Sequence, residues 1–173
     1  PIDAMDLRRA LGAFATGVTV VTTVDSEGAP RGFTANSFTS VSLDPPLILV
    51  CLAKRAASCP VFQGAESFAV NILSEEQKAV SAAFSSATAD RFSSVGWSAR
   101  ATGCPVLADV VAWLDCRMQE VIDAGDHYIL MGRVVDYDYA AASPLGFCRG
   151  AYVSFGLSRE AVRATQQDED TRV

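Results

Sequence analysis

Val18-Thr19-Val20-Val21-Thr22-Thr23-Val24 is an unbroken run of seven β-branched residues. Two heavy atoms on every Cβ crowd a helical turn, whereas the same side chains stand freely above and below a pleated strand. The run predicts a strand, and the segments on either side extend the pattern. Downstream, Asp25-Ser26-Glu27-Gly28 is turn chemistry, and a second extended stretch follows from Gly32 to Val41. Asp44-Pro45-Pro46 breaks the chain before Leu47-Ile48-Leu49-Val50-Cys51-Leu52, a continuous apolar run expected of a buried strand. Upstream the period changes. Leu7, Ala10, Leu11 and Phe14 are spaced for one face of an amphipathic helix over Asp6 to Phe14, ending near Gly17.

Further along, Ser58 to Gly64 predicts a short helix. Ser67 to Leu73 predicts a strand in which Phe68, Val70 and Ile72 alternate. Ser74-Glu75-Glu76-Gln77 is a helix start, with Ser74 as N-cap and Gln77 three residues on, and the helix should run to about Phe84. Residues 85–105 are rich in Ser, Ala and Gly and predict a long irregular loop. Val110 to Val121 and Tyr128 to Tyr139 predict two long strands, and Leu145 to Phe155 one or two more. About seven strands with two or three peripheral helices, and no βαβ alternation, predict a mainly β domain built as a closed or split antiparallel barrel. That domain should span residues 1–157, with 158–173 as a polar tail.

Composition removes several functions. Half of the 173 residues are hydrophobic, 20% are charged, and the net charge is -6, which suits one domain with a sizeable core. No Lys/Arg cluster marks a nucleic-acid surface. The longest uncharged stretch, Ala10 to Val24, has 15 residues and four threonines, so no membrane span is expected. Acids at Asp3 and Asp6 stand where a secretory leader is basic. Five cysteines without C-x-x-C suit the reduced thiols of the cytoplasm better than a disulfide framework or a zinc site. There is no G-x-G-x-x-G, P-loop or G-x-S-x-G. His127 is the only histidine, which excludes multi-histidine metal sites. Enzymatic chemistry in such a chain is expected to come from a borrowed cofactor.

Within Gly32-Phe33-Thr34-Ala35-Asn36-Ser37-Phe38-Thr39-Ser40-Val41-Ser42-Leu43-Asp44-Pro45-Pro46-Leu47, the side chains of Thr34, Asn36, Ser37 and Ser40 gather hydroxyl and amide donors without fixed charge. Such donors suit the uracil-like edge of a flavin, or a phosphate. The same residues also suit a threonine-rich barrel strand with serines in its turns.

Taken with Phe14-Ala15-Thr16-Gly17-Val18-Thr19-Val20-Val21-Thr22, Phe68-Ala69-Val70-Asn71-Ile72-Leu73, Arg91-Phe92 and Gly125-Asp126-His127, this segment resembles the short-chain flavin reductase family over about residues 7–156. These proteins are the reductase components of two-component flavin monooxygenases. The resemblance implies an FMN-binding split β-barrel, antiparallel and of Greek-key type, that forms a homodimer with flavin near the subunit interface. It implies Thr34, Ala35, Asn36 and Ser37 lining the flavin, and backbone groups of Cys51 and Leu52 facing the ring. Where the family often has a Ser/Thr pair for the flavin phosphate, this chain reads Ala57-Ser58, so only Ser58 carries over. Arg91 is either a second phosphate ligand or a solvated loop arginine. His127 is either structural or the residue that orients the nicotinamide carboxamide.

The implied activity is hydride transfer from NADH or NADPH to FMN or FAD, after which reduced flavin diffuses to a separate oxygenase. Two alternatives keep the fold: a protein that retains FMN without NAD(P)H turnover, and a reductase of another acceptor such as a cobalt corrinoid or ferric chelate.

Overall fold

The computed structural model describes residues 1–86, 90–157 and 161. The expected tail over 158–173 lies, apart from residue 161, outside the described residues. The first half of the chain contains α1 (Ala4–Leu11), β1 (Thr16–Gly17), β2 (Thr19–Val24), β3 (Pro30–Ala35), β4 (Thr39–Leu43), β5 (Pro46–Ala53), α2 (Cys59–Gly64) and β6 (Ser67–Ile72). A 3-10 turn (Glu75–Gln77) then leads into α3 (Lys78–Ser85). After it come β7 (Trp97–Ala99), β8 (Pro105–Leu107), β9 (Ala112–Ala124), β10 (His127–Tyr139), β11 (Leu145–Cys148) and β12 (Ala151–Ser154).

Seven strands form the main sheet in the order β3-β2-β6-β9-β10-β5-β4, with every pairing antiparallel. A three-stranded sheet, β1-β11-β12, and the hairpin β7-β8 flank it. β2 lies inside the sheet and is covered on both faces. Its valines alternate, as a strand's period of two demands. Val21 packs with Phe33, Ile48, Val50, Phe62, Phe68 and Leu130, whereas Val20 packs outward with Leu73, Phe84, Leu107 and Leu145. The threonines of β2 are tolerated there because each hydroxyl finds a carbonyl. Thr19 donates to Ala35 O at 2.8 Å, Thr23 to Ser67 O at 2.7 Å, and Thr22 to Pro105 O. Asn71, also fully buried, donates to Val20 O at 3.0 Å and accepts from Leu107 N at 2.8 Å, which ties β8 onto the sheet.

The structure departs from the sequence expectations in three places. The run Leu47–Leu52 is not buried throughout: Ile48, Val50 and Leu52 face the core while Leu47, Leu49 and Cys51 are half-buried. The stretch 85–105 is not wholly irregular, because Trp97–Ala99 pairs with Pro105–Leu107 and the buried side chains of β8 anchor the hairpin. The first helix stops at Leu11, capped by Gly12, well before Gly17, and it buries no residue. Leu11 is 66% and Phe14 79% exposed, so the apolar spacing marks an uncovered face rather than a core contact. The start of the third helix is as expected, with Gln77 Oε1 accepting from Ser74 N at 3.0 Å. No helix among the described residues is long and apolar enough to cross a membrane.

Candidate functional site

The sheet curls until its first strand, β3, approaches β5, and there the barrel is split. Among the described residues no ladder closes this seam. One side chain bridges it: Ser37 Oγ accepts from Cys51 N at 3.0 Å and donates back to Cys51 O at 3.2 Å. A cleft of about 610 Å³ opens along the seam. Thr34, Ala35, Asn36, Ser37, Cys51, Leu52, Ser58, Arg91 and His127 all line it, so residues spread across 94 positions of sequence meet on one surface.

Their hydrogen bonds sort them into walls and available groups. The Thr34 hydroxyl donates to Ser81 O at 2.7 Å and so fastens α3 to β3. The Ser37 hydroxyl has spent its proton on Cys51 O and keeps one acceptor position. Cys51 N–H is taken by Ser37, while Lys54 N donates to Asp126 O at 3.0 Å across the β5–β10 ladder. Antiparallel alternation therefore turns Leu52 toward β10 and leaves the Ala53 N–H on the cleft edge. Asn36 is exposed and its side chain makes no hydrogen bond among the described residues, so its amide faces the cleft uncommitted. Ser58 stands at the N-cap position of α2, and its hydroxyl makes no capping bond.

Arg91 is not a solvated loop arginine, being half-buried and bonded to the chain. Its guanidinium donates to Gly32 O at 2.7 Å, to Phe84 O at 3.3 Å and to Ser86 O. It clamps the C-terminal end of α3 to β3 while still lining the cleft. Ala53, Arg55, Ser85 and Ser86 also line the cleft and were missed in the sequence. For Arg55 there was a signal, a cation three residues before Ser58. Ala53 offers only backbone and gives none. With Arg55 and Arg91 present and no carboxylate among the lining residues, this surface of an acidic chain favours an anion.

His127 opens β10 directly after a two-residue turn in which Gly125 sits at φ +69, a left-handed conformation that glycine adopts without a Cβ clash. Its Nδ1 lies 2.6 Å from Asp126 Oδ1. The imidazole beside it holds the Asp126 carboxyl below the usual carboxylate range. With Nδ1 engaged, Nε2 is the ring atom left for a ligand.

A model of the flavin reductase like domain matches residues 11–156 of this chain. The chain belongs to the flavin reductase-like family. A probable flavin reductase of Rhizobium meliloti is 52% identical over 167 residues, covering 96% of this chain and 54% of that protein. The reductase component of the flavin-dependent trigonelline monooxygenase of Acinetobacter baylyi is 50% identical over 147 residues, covering 85% of this chain and 47% of that one. The chain thus spans about half the length of these two curated relatives. Among solved structures, the NADH:FAD oxidoreductase of Streptomyces globisporus, in complex with NAD and FAD fragments, superposes with a TM-score of 0.85 at 38% identity, covering 91% of this chain and 95% of that one. The split antiparallel barrel is therefore a fold this chain shares with flavin reductases.

Proposed function

We propose that this chain is an NAD(P)H:flavin oxidoreductase: NADH or NADPH gives a hydride to FMN or FAD, and reduced flavin leaves by diffusion for a separate oxygenase. The observation that carries the reading is the seam cleft, with uncharged donors, two arginines and Ser58 on its wall, and no carboxylate among its lining residues. This donor set fits a flavin. The Asn36 amide and the Ala53 N–H suit the heteroatom edge of the ring, and Arg55, Ser58 and Arg91 suit its phosphate. When bound, the flavin supplies the hydride-accepting centre. The chain contributes orientation and fixed dipoles. Asn36 and Ala53 N–H would stabilise negative charge as it develops on the ring edge. His127, held by Asp126 at 2.6 Å, would present Nε2 to the nicotinamide carboxamide, a positioning role that needs no covalent step. The related trigonelline monooxygenase component and the NAD- and FAD-bound oxidoreductase support the same activity.

The reading includes a homodimer and a cytoplasmic setting. β4 ends the main sheet with one edge unpaired, and it exposes Val41 and Leu43 (95%). β10 runs past its last β5 partner, Arg133, and exposes Val135 and Tyr137. An apolar sheet edge of this kind favours pairing, and closed two-fold pairs are the commonest solution. All five cysteines are free thiols, which suits a reducing compartment. The test is steady-state oxidation of NADH and NADPH with FMN, FAD and riboflavin each titrated in, with light scattering on the same sample. Oxidation should saturate with added free flavin in a particle of twice the chain mass. A folded protein that binds flavin without consuming either dinucleotide would sink the reductase reading, and a fully active monomer would sink the dimer.

A further inference from the structure

His127 lines the seam cleft, whereas Asp126, the residue before it, stands outside the lining. Their side chains meet at 2.6 Å between Nδ1 and Oδ1. At that distance one of the two atoms carries a proton, because two bare acceptors would repel. The carboxyl is the stronger acid, and the bond to the ring holds it below the usual carboxylate range. It is ionised at neutral pH, and an ionised carboxylate only accepts. The proton lies on Nδ1.

That assignment fixes the other nitrogen. A neutral imidazole has one donor and one acceptor, so a proton on Nδ1 leaves a lone pair on Nε2. An unconstrained histidine side chain prefers the opposite tautomer, with its proton on Nε2. The surrounding charges leave the pair intact. Lys54 is engaged by Asp123 at 2.8 and 2.9 Å, and its ammonium lies 5.0 Å from the centre of the Tyr128 ring. Arg55 adds to the pull that keeps the Asp126 carboxyl ionised. Across the ladders His127 faces Ala53 of β5 and Ala124 of β9, whose side chains offer Nε2 no competing partner.

We propose that Asp126 is a positioning residue that makes the cleft select a carboxamide: it turns His127 Nε2 into an acceptor, which takes an N–H from the nicotinamide amide. The proposal rests on the reductase reading for the donor. A donor ring that carries a methyl ketone in place of the amide has no such N–H, and its oxygen meets the Nε2 lone pair. Without Asp126 the ring returns to the Nε2–H tautomer, which suits a ketone oxygen as well as an amide oxygen.

The test compares the full chain with Asp126→Ala. His127 is the only histidine, so in the 15N-labelled protein its ring gives the only imidazole signals. Above the pH at which those signals titrate, wild type should carry the proton on Nδ1 and the variant mainly on Nε2. At the same pH, with FMN as acceptor, kcat/KM is measured for NADH and for its reduced 3-acetylpyridine analogue. The variant should lower the NADH-to-analogue ratio roughly five- to tenfold, the worth of one hydrogen bond. Melting temperature and FMN affinity should not change, whereas a merely structural loss would move both and slow the two donors alike. The wild-type ratio should also fall below the titration, because an imidazolium donates from both nitrogens. A wild-type ring protonated on Nε2 overturns the proposal, as does an unchanged donor ratio in a variant whose tautomer has shifted. Asp126 is exposed, and the wild-type spectrum decides the tautomer even if the variant fails to fold. A protein that holds the Nδ1–H tautomer but oxidises neither donor ends the reductase reading and the carboxamide selection, while the tautomer stands.

Discussion

Replacing Arg91 with alanine should destabilise the flavin-free protein, because the guanidinium is a clamp before it is a ligand. It donates to Gly32 O at 2.7 Å, to Ser86 O, and more weakly to Phe84 O at 3.3 Å. Two of these carbonyls lie at the C-terminal end of α3, where a cation also meets the negative end of the helix dipole. A hydrogen bond from a charged donor contributes about 1.5–3 kcal/mol when buried. Arg91 is half-buried and its bond to Phe84 O is long, so the loss should be about 3 kcal/mol in total. For a chain of this size that corresponds to a fall in Tm of roughly 6–12 °C. Arg91→Lys should recover little, since one ammonium cannot span three carbonyls. The assay is a thermal melt of wild type and both variants without flavin, beside FMN and riboflavin affinities. A flavin-free Arg91→Ala protein that melts within about one degree of wild type, yet no longer prefers FMN to riboflavin, would refute the clamp and leave Arg91 a phosphate ligand only.

Gly132→Ala should cost about 1–3 kcal/mol by overpacking. Its new Cβ would stand 2.5 Å from Phe68 Cζ and 2.9 Å from Cys116 Cβ. An unchanged urea midpoint would show that the barrel interior can yield there. Asp25→Asn should flatten the acid limb of the stability curve. The amide of Ala29, then that of Glu27 and the Arg31 guanidinium, hold the Asp25 carboxyl below its ordinary value. Its contribution is therefore complete above the ordinary carboxylate pKa and is lost as the pH falls through the folded value. Melts from neutral to acid pH that superimpose for the two proteins would dispose of that linkage.

Local chemistry was legible in the sequence wherever a residue answers to its immediate neighbours. The β-branched run became β2, and Ser74 and Gln77 capped their helix. Nine of the residues that line the cleft were legible too, through the resemblance that ordered them. What each one does there was not. The Ser37 hydroxyl meets a backbone 14 positions away, and the Arg91 guanidinium meets a carbonyl 59 positions away. Both partners exist only once the sheet has curled and its first strand has come beside β5. Nor could spacing tell that the apolar face of α1 stays uncovered, because a period of 3.6 says which side chains align and nothing of what packs on them. Closure of the barrel decided which hydroxyls are spent as structure and which N–H groups remain on the seam.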